Sequence, residues 1–175
     1  MKLIILRHGE TKENKEGVVQ GQLPGTLTEK GLKHAKKMAN RFKKEKIDFI
    51  YSSDLKRAKD AAKIIAKFHP STPLNFMKEL REMNFGKFQG RSGLKFKNAY
   101  GHYLERGGES IKQFYNRVRK FFGKIKQKHK SQTVMIISHA GSNRALVCAT
   151  KNLPLDKASK IIINSRYIVQ GVFTI

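Results

Sequence analysis

Three short runs of large apolar side chains constrain this chain more than any other feature: KLIIL at 2–6, IDFIY at 47–51 and TVMIIS at 133–138. None alternates apolar with polar residues. They therefore read as strands buried on both faces of a sheet rather than half-exposed ones. Segments with three-to-four spacing lie between and after them. Leu32, Ala35, Met38, Ala39 and Phe42 mark one helix, with Thr28 as its N-cap, and Leu55, Ala58, Ala62, Ile65 and Phe68 mark the next. Ile111, Phe114, Val118, Phe121 or Phe122, and Ile125 mark a third, opened by a capping box at Ser110 and Gln113, and SNRALVCAT a fourth. PLNFM reads as a short strand and YIVQGVFTI as the last one, central or at an edge. Strands alternating with helices define an α/β fold: three layers, a mostly parallel central sheet with helices on both faces.

No repeat, linker or low-complexity tract divides the sequence, so residues 1–175 read as one domain. The N-terminal apolar run is too short for a signal peptide, and no run approaches membrane-spanning length. Cys148 is the only cysteine, which rules out an internal disulfide and fits a reducing cytoplasm. Lys and Arg number 37 against 13 acids, a formal net charge of +24 that attracts anions of every size. The basic residues are spread over most polar faces, and no nucleic-acid-binding motif accompanies them. No specific nucleic-acid partner and no membrane is expected, and nothing in the sequence sets an oligomeric state.

The ends of the three apolar runs carry unusual chemistry. The first stops at Arg7-His8-Gly9, the second at Ser52-Ser53 with Arg57 just beyond, and the third at Ser138-His139-Ala140-Gly141. If the three strands are parallel, these ends share the sheet edge where open α/β folds place ligands. Two arginines, two histidines and nearby helix N-termini converging there suit a phosphoryl dianion, and a histidine among them can act as a nucleophile toward phosphorus.

The blocks LRHGET, SSDLKRA, LREMNFGKFQG, GGES and SHAGSNRAL, taken together and in this order, resemble the histidine phosphatase superfamily, also called phosphoglycerate mutase-like. The resemblance implies that His8 becomes a phosphohistidine and that Arg7, Arg57 and His139 hold the phosphoryl oxygens. Glu82 matches the general acid–base position; Asn14, Gln20 and Gly21, with Ala140 beside His139, match positions lining the pocket. No metal and no cofactor is implied. Three positions depart from the frequent pattern: Pro24 where an acid is common, Gln89 where Glu is common, and Ala61 where Thr is common.

The other polar residues have plainer expectations. His34, His69, His102 and His129 read as solvated or hydrogen-bonded surface histidines, and Arg144 as a structural ion-pair partner. Glu10, Glu79 and Glu109 are rival carboxylates to Glu82, and Arg81 fits either a substrate contact or a surface charge. The irregular stretch 80–108 is expected to roof the pocket with Phe85, Phe88, Lys95, Lys97, Tyr100 and Tyr103. Only about 40 residues separate Phe68 from Ser110. Mutases of the resembled family tend to carry a longer insertion here, so the resemblance implies a cover more open to water and hence a phosphatase acting on a small phosphorylated metabolite. The alternatives are a mutase using the same residues and, from another class, a non-catalytic phosphate or nucleic-acid binding module.

Overall fold

A computed structural model describes residues 1–92, 107–154 and 169–175. In chain order the elements are β1 (Lys2–Arg7), the short α1 (Lys12–Lys15), α2 (Glu29–Phe42), β2 (Phe49–Ser53), α3 (Lys56–Ala66), β3 (Leu74–Met77), α4 (Ile111–Lys128), β4 (Thr133–Ser138), α5 (Ala140–Thr150) and β5 (Val169–Thr174), with 3-10 turns at Lys78–Leu80 and Gly86–Phe88. The strands form one sheet in the order β3-β2-β4-β1-β5. β1 and β2 both pair with β4 in parallel, β3 pairs with β2 in parallel, and β5 runs antiparallel on the outer side of β1. The three apolar runs are thus the three central strands, as their unbroken hydrophobicity requires.

Two-residue periodicity divides their side chains between two cores. Ile4, Leu6, Ile50, Met135 and Ile137 pack against α2 and α3 through Ala35, Met38, Phe42, Ala58, Ala62 and Ile65. Leu3, Ile5, Tyr51, Val134 and Ile136 face α4 and α5 through Phe114, Val118, Phe121, Ile125 and Leu146. A fully buried Leu, Ile or Phe among these contributes about 1.5–3 kcal/mol. The three-layer arrangement follows directly from that alternation.

Capping follows the sequence. The Thr28 side chain accepts from the Gly31 N–H, and Ser110 and Gln113 close a reciprocal box at the start of α4. Leu32, however, is 39% exposed, and the buried stripe of α2 begins one residue earlier, at Gly31. A Cβ on Gly31 would run into the Glu10 carbonyl, and one on Gly9 into the Gly31 backbone. The first turn of α2 therefore docks backbone to backbone on the segment after β1, which leaves no place for a leucine. Phe68 is also exposed, because α3 ends at Ala66, before the stripe would reach it.

Two histidines expected at the surface are buried. Nε2 of His129 bonds Tyr51 Oη at 2.9 Å and its Nδ1 bonds Gln132 Oε1 at 2.7 Å, with the Phe49 ring 4.2 Å away. His69 is also buried, and His34 is half-buried. His102, Lys95, Lys97, Tyr100 and Tyr103 lie outside the described residues.

Candidate active site

β1, β2 and β4 all end on one edge of the sheet, and the expected residues meet there. Sheet periodicity directs His8 toward α3, where Arg57 stands in the first turn. Arg57 is 1% exposed, and each of its three guanidinium nitrogens donates one hydrogen bond. Nε donates to His8 Nε2 at 3.2 Å, Nη1 to the Leu23 carbonyl at 2.7 Å and Nη2 to the Gly21 carbonyl at 2.7 Å. Gly21 holds a left-handed φ of 51°, and a Cβ there would collide with the Gln89 amide. Burial pulls the Arg57 pKa down to about 10 against the favourable charges of Glu82 and Glu13, so it stays protonated at neutral pH.

These contacts fix the tautomer of His8. The Arg57 Nε–H can only donate, so Nε2 of His8 is the acceptor. The ring proton is then on Nδ1, which donates to the Gly9 carbonyl at 2.7 Å. Burial, and after it the charges of Arg57 and Arg7, push the His8 pKa well below the ordinary histidine value. His8 is a neutral imidazole whose Nε2 lone pair accepts from the Arg57 Nε–H.

His139 caps α5, with its ring centroid 5.1 Å from that of His8 at an interplanar angle of 62°. Its Nε2 bonds Ser53 Oγ at 2.8 Å, while its buried Nδ1 has no hydrogen-bond partner. Burial again leads the causes that hold its pKa well below the usual value, followed by Arg57, His8, Arg7 and Arg117.

Glu82 lies across from them. Its Oε1 accepts from the Met83 N–H at 2.9 Å and its Oε2 from the Gly141 N–H at 3.0 Å, in the first turn of α5. A Cβ at Gly141 would strike this carboxylate. The Glu82 carbonyl accepts from Gln22 Nε2 at 3.1 Å and Arg117 Nη2 at 3.3 Å. Arg7 completes the ring of charges: burial lowers its pKa, the Glu82 charge raises it, and the Arg144 charge lowers it again.

Two of the rival carboxylates, Glu10 and Glu109, are engaged elsewhere. Glu10 bonds Thr28 and Lys30, and Glu109 pairs with Arg117 through both oxygens. Arg81 forks onto Asp54 at 2.7 and 2.5 Å, which makes it a brace between the β2 end and the Glu82 segment. Of the pocket-lining candidates, Gln20 is buried with its Oε1 unpartnered, Gly21 holds Arg57, and Ala140 opens α5. Asn14 is occupied by a capping box with Thr11. The unusual Gln89 accepts from the Gln22 and Phe85 N–H groups through one oxygen, a task a carboxylate would also serve.

Sequence reasoning placed Ser53 on this edge without a role, and missed Gln22 and Arg117. Arg117 left one signal, an arginine one turn after Phe114 at the border of the apolar stripe of α4. The structure also overturns the ion-pair expectation for Arg144: its half-buried side chain pairs with no carboxylate among the described residues, and its Nε is buried without an acceptor. Among the described residues no cluster of His, Cys, Asp or Glu is placed to hold a metal ion, and no helix is long and apolar enough to cross a membrane.

A parallel-sheet edge with a neutral, buried histidine set between arginines is the anatomy of a phosphoryl-transfer site. The histidine phosphatase superfamily (branch 1) matches residues 3–170. Phosphoserine phosphatase 1 of Hydrogenobacter thermophilus is 35% identical over 170 residues, covering 90% of this chain and 79% of that protein. The structure of the Bacillus stearothermophilus protein YhfR superposes with a TM-score of 0.83 at 28% identity, covering 98% of this chain and 88% of the other. The mycobacterial glucosyl-3-phosphoglycerate phosphatase, in its complex with VO3, superposes at 0.80 and 28% identity over 91% and 85% of the two chains. The chain belongs to the histidine phosphatase superfamily, branch 1, and is a phosphatase of that type.

Proposed function

We propose that residues 1–175 act as a single-domain, metal-independent, cytoplasmic phosphatase that hydrolyses a small phosphomonoester through a phosphohistidine on His8. One observation carries this reading: the Nδ1 proton of His8 is held by the Gly9 carbonyl, which leaves a neutral Nε2 lone pair among fixed cationic donors. In the first step Nε2 attacks phosphorus and the P–O bond to the leaving group breaks. Glu82, carrying a proton, gives it to the departing alkoxide. In the second step water attacks phosphorus, the P–N bond breaks, Glu82 takes a proton from that water, and inorganic phosphate leaves.

Arg57 hands its Nε–H from His8 to a phosphoryl oxygen as the substrate arrives, and Arg7 and the unsatisfied Nδ1 of His139 supply further contacts. That nitrogen contributes as a donor in the Nδ1-protonated tautomer, or as the partner of a protonated phosphoryl oxygen in the other. Such preorganised electrostatics are the main source of rate in phosphoryl transfer. The names of similar proteins, a phosphoserine phosphatase and a glucosyl-3-phosphoglycerate phosphatase, support a small phosphorylated metabolite as substrate.

Hydrolysis of p-nitrophenyl phosphate in the presence of a chelator, abolished by His8→Ala, is the expected result. A labelled phosphoenzyme stable to base and labile to acid should form in the wild type alone. Full activity of His8→Ala, or a strict requirement for magnesium, overturns the mechanism.

A further inference from the structure

We propose that Ser53 is a positioning residue for the second histidine of the site: its hydroxyl donates to Nε2 of His139 and so holds the ring proton on Nδ1, where the N–H donates to a phosphoryl oxygen. The inference rests on the His8 phosphatase reading and settles which nitrogen of the other imidazole carries its proton.

Ser53 ends β2 and is fully buried, and His139 is 1% exposed. β2 and β4 pair in parallel with Ser52 beside Ile137, so the ends of these two strands bring Ser53 and His139 together. Among the described residues the Ser53 Oγ has two partners. It accepts from the Leu55 N–H at 3.3 Å, at the turn into α3, and it lies 2.8 Å from His139 Nε2. The first contact uses an oxygen lone pair and leaves the hydroxyl hydrogen to be placed. Nε2 of His139 is the acceptor within its reach.

The two neutral tautomers of His139 differ in what they leave unpaired. With the proton on Nε2 the ring donates to Ser53 Oγ, and two buried groups go without partners: the Ser53 hydroxyl hydrogen and the Nδ1 lone pair. With the proton on Nδ1 the hydroxyl hydrogen is satisfied, and only the Nδ1–H is left over. A buried polar group without a partner is costly, so the second arrangement is favoured. The doubly protonated ring is opposed first by burial and then by the Arg57 charge.

That choice decides the sign of the contact with substrate. A lone pair on Nδ1 repels an anionic oxygen, whereas an N–H attracts it without adding a charge to the buried site. The outer hydrogen bond of a histidine commonly selects the working nitrogen in this way. With centroids 5.1 Å apart, the two rings then carry their protons on the same nitrogen and supply opposite functions: a nucleophilic lone pair on His8 and a fixed donor on His139. A donor oriented before the substrate arrives has no reorganisation to undergo during the reaction.

Long-range proton–nitrogen NMR correlations of the imidazole rings, recorded on the whole chain at neutral pH without substrate, read the tautomer directly. Wild-type His139, assigned by the signals lost in His139→Gln, should show Nδ1 protonated and Nε2 bare. Ser53→Ala should move it toward the Nε2-protonated form and lower kcat/KM for p-nitrophenyl phosphate by about 10–100-fold. That loss is smaller than the 10²–10³-fold seen when an oriented donor is itself removed. A purely structural serine would change stability and leave the tautomer alone. A wild-type His139 protonated on Nε2, or on both nitrogens, overturns the proposal, and so does a Ser53→Ala protein in which either the tautomer or kcat/KM is unchanged. Should Ser53→Ala fail to fold, the wild-type spectrum still decides. The ring signals need no turnover, so they judge Ser53 independently of His8→Ala, whose residual activity would defeat only the phosphohistidine.

Discussion

Arg57 Nε and His8 Nε2 stand 3.2 Å apart, and this one bond sets the tautomer of the proposed nucleophile. The same guanidinium ties down the Gly21 and Leu23 carbonyls, so the loop 20–25, the first turn of α3 and the end of β1 form one unit. Arg57→Lys keeps the charge and loses the fork. A single ammonium cannot satisfy three acceptors in fixed directions. We expect kcat to fall by about 10²–10³-fold, the range seen when one oriented donor is removed from a reacting centre. Thermal unfolding should show a loss of about 1–3 kcal/mol from an unpaired buried carbonyl. A lysine variant with near-normal kcat would mean that point charge alone suffices.

The pH behaviour follows from burial. His8 and His139 have pKa values pushed well below 6.5 in the folded chain, and an unfolded chain returns them to about 6.5. Below that pH the unfolded state takes up protons that the native state refuses, so stability falls as the medium is acidified. The slope approaches about 1.4 kcal/mol per pH unit for each histidine until the depressed native value is reached. Urea titrations between pH 7 and pH 5 should show this loss, and His139→Gln should reduce its slope. Imidazole NMR signals of His8 should keep their neutral, Nδ1-protonated pattern throughout that range. A His8 that titrates near 6.5 would contradict the environment described.

Glu82 as general acid has a signature that simple inactivation lacks. p-Nitrophenolate departs without a proton, whereas a serine alkoxide does not. In Glu82→Gln, p-nitrophenyl phosphate should still phosphorylate His8 and release a burst of nitrophenolate, followed by slow turnover. Alkyl phosphates should lose about 10²–10⁴-fold in kcat/KM. Arg117 holds the Glu82 backbone carbonyl and those of Glu79 and Arg81, at 2.7 and 3.1 Å for the latter two. Arg117→Met should therefore reproduce the same leaving-group dependence in weaker form, with Tm lowered by the loss of the Glu109 pair. Equal losses on both substrate types would assign Arg117 to stability alone.

The sequence carried the chemistry of this fold further than its packing. The unbroken runs at 2–6 and 133–138 announced central parallel strands, and once they were parallel Arg7, His8, Arg57 and His139 had to share an edge. Thr28 and Ser110 announced helix starts because capping is a local interaction. Partners far apart in the chain could not be read this way. Nothing local in Tyr51 says that it will bury His129, and nothing in Arg117 says that it will clamp four residues of the 78–82 segment. Arg144, in the helix after His139, was expected to be a structural ion-pair partner. Its lack of a pair emerges only when every nearby carboxylate has been placed.

Gly31 was passed over for the same reason, and it yields the sharpest test of the scaffold. Replacing glycine by alanine within a helix normally stabilises it by about 0.5–1 kcal/mol. At Gly123 in α4 an added Cβ meets nothing within 4 Å, and the residue is exposed, so Gly123→Ala should raise stability by that amount. At Gly31 the same methyl group would meet the Glu10 carbonyl, backbone against backbone with no flexible side chain to yield. There the sign reverses: Gly31→Ala should lower stability by about 1–3 kcal/mol, the range of overpacked cores. Because Glu10 directly follows Gly9, relief of that clash on the Glu10 side should disturb the neighbouring Gly9 carbonyl that fixes the His8 tautomer. Activity should therefore fall in Gly31→Ala beyond what the fraction of folded protein explains, while Gly123→Ala keeps wild-type kcat. Urea unfolding and kcat measured on the same samples decide the matter, and a neutral or stabilising Gly31→Ala would refute the close docking of α2 on the nucleophile segment.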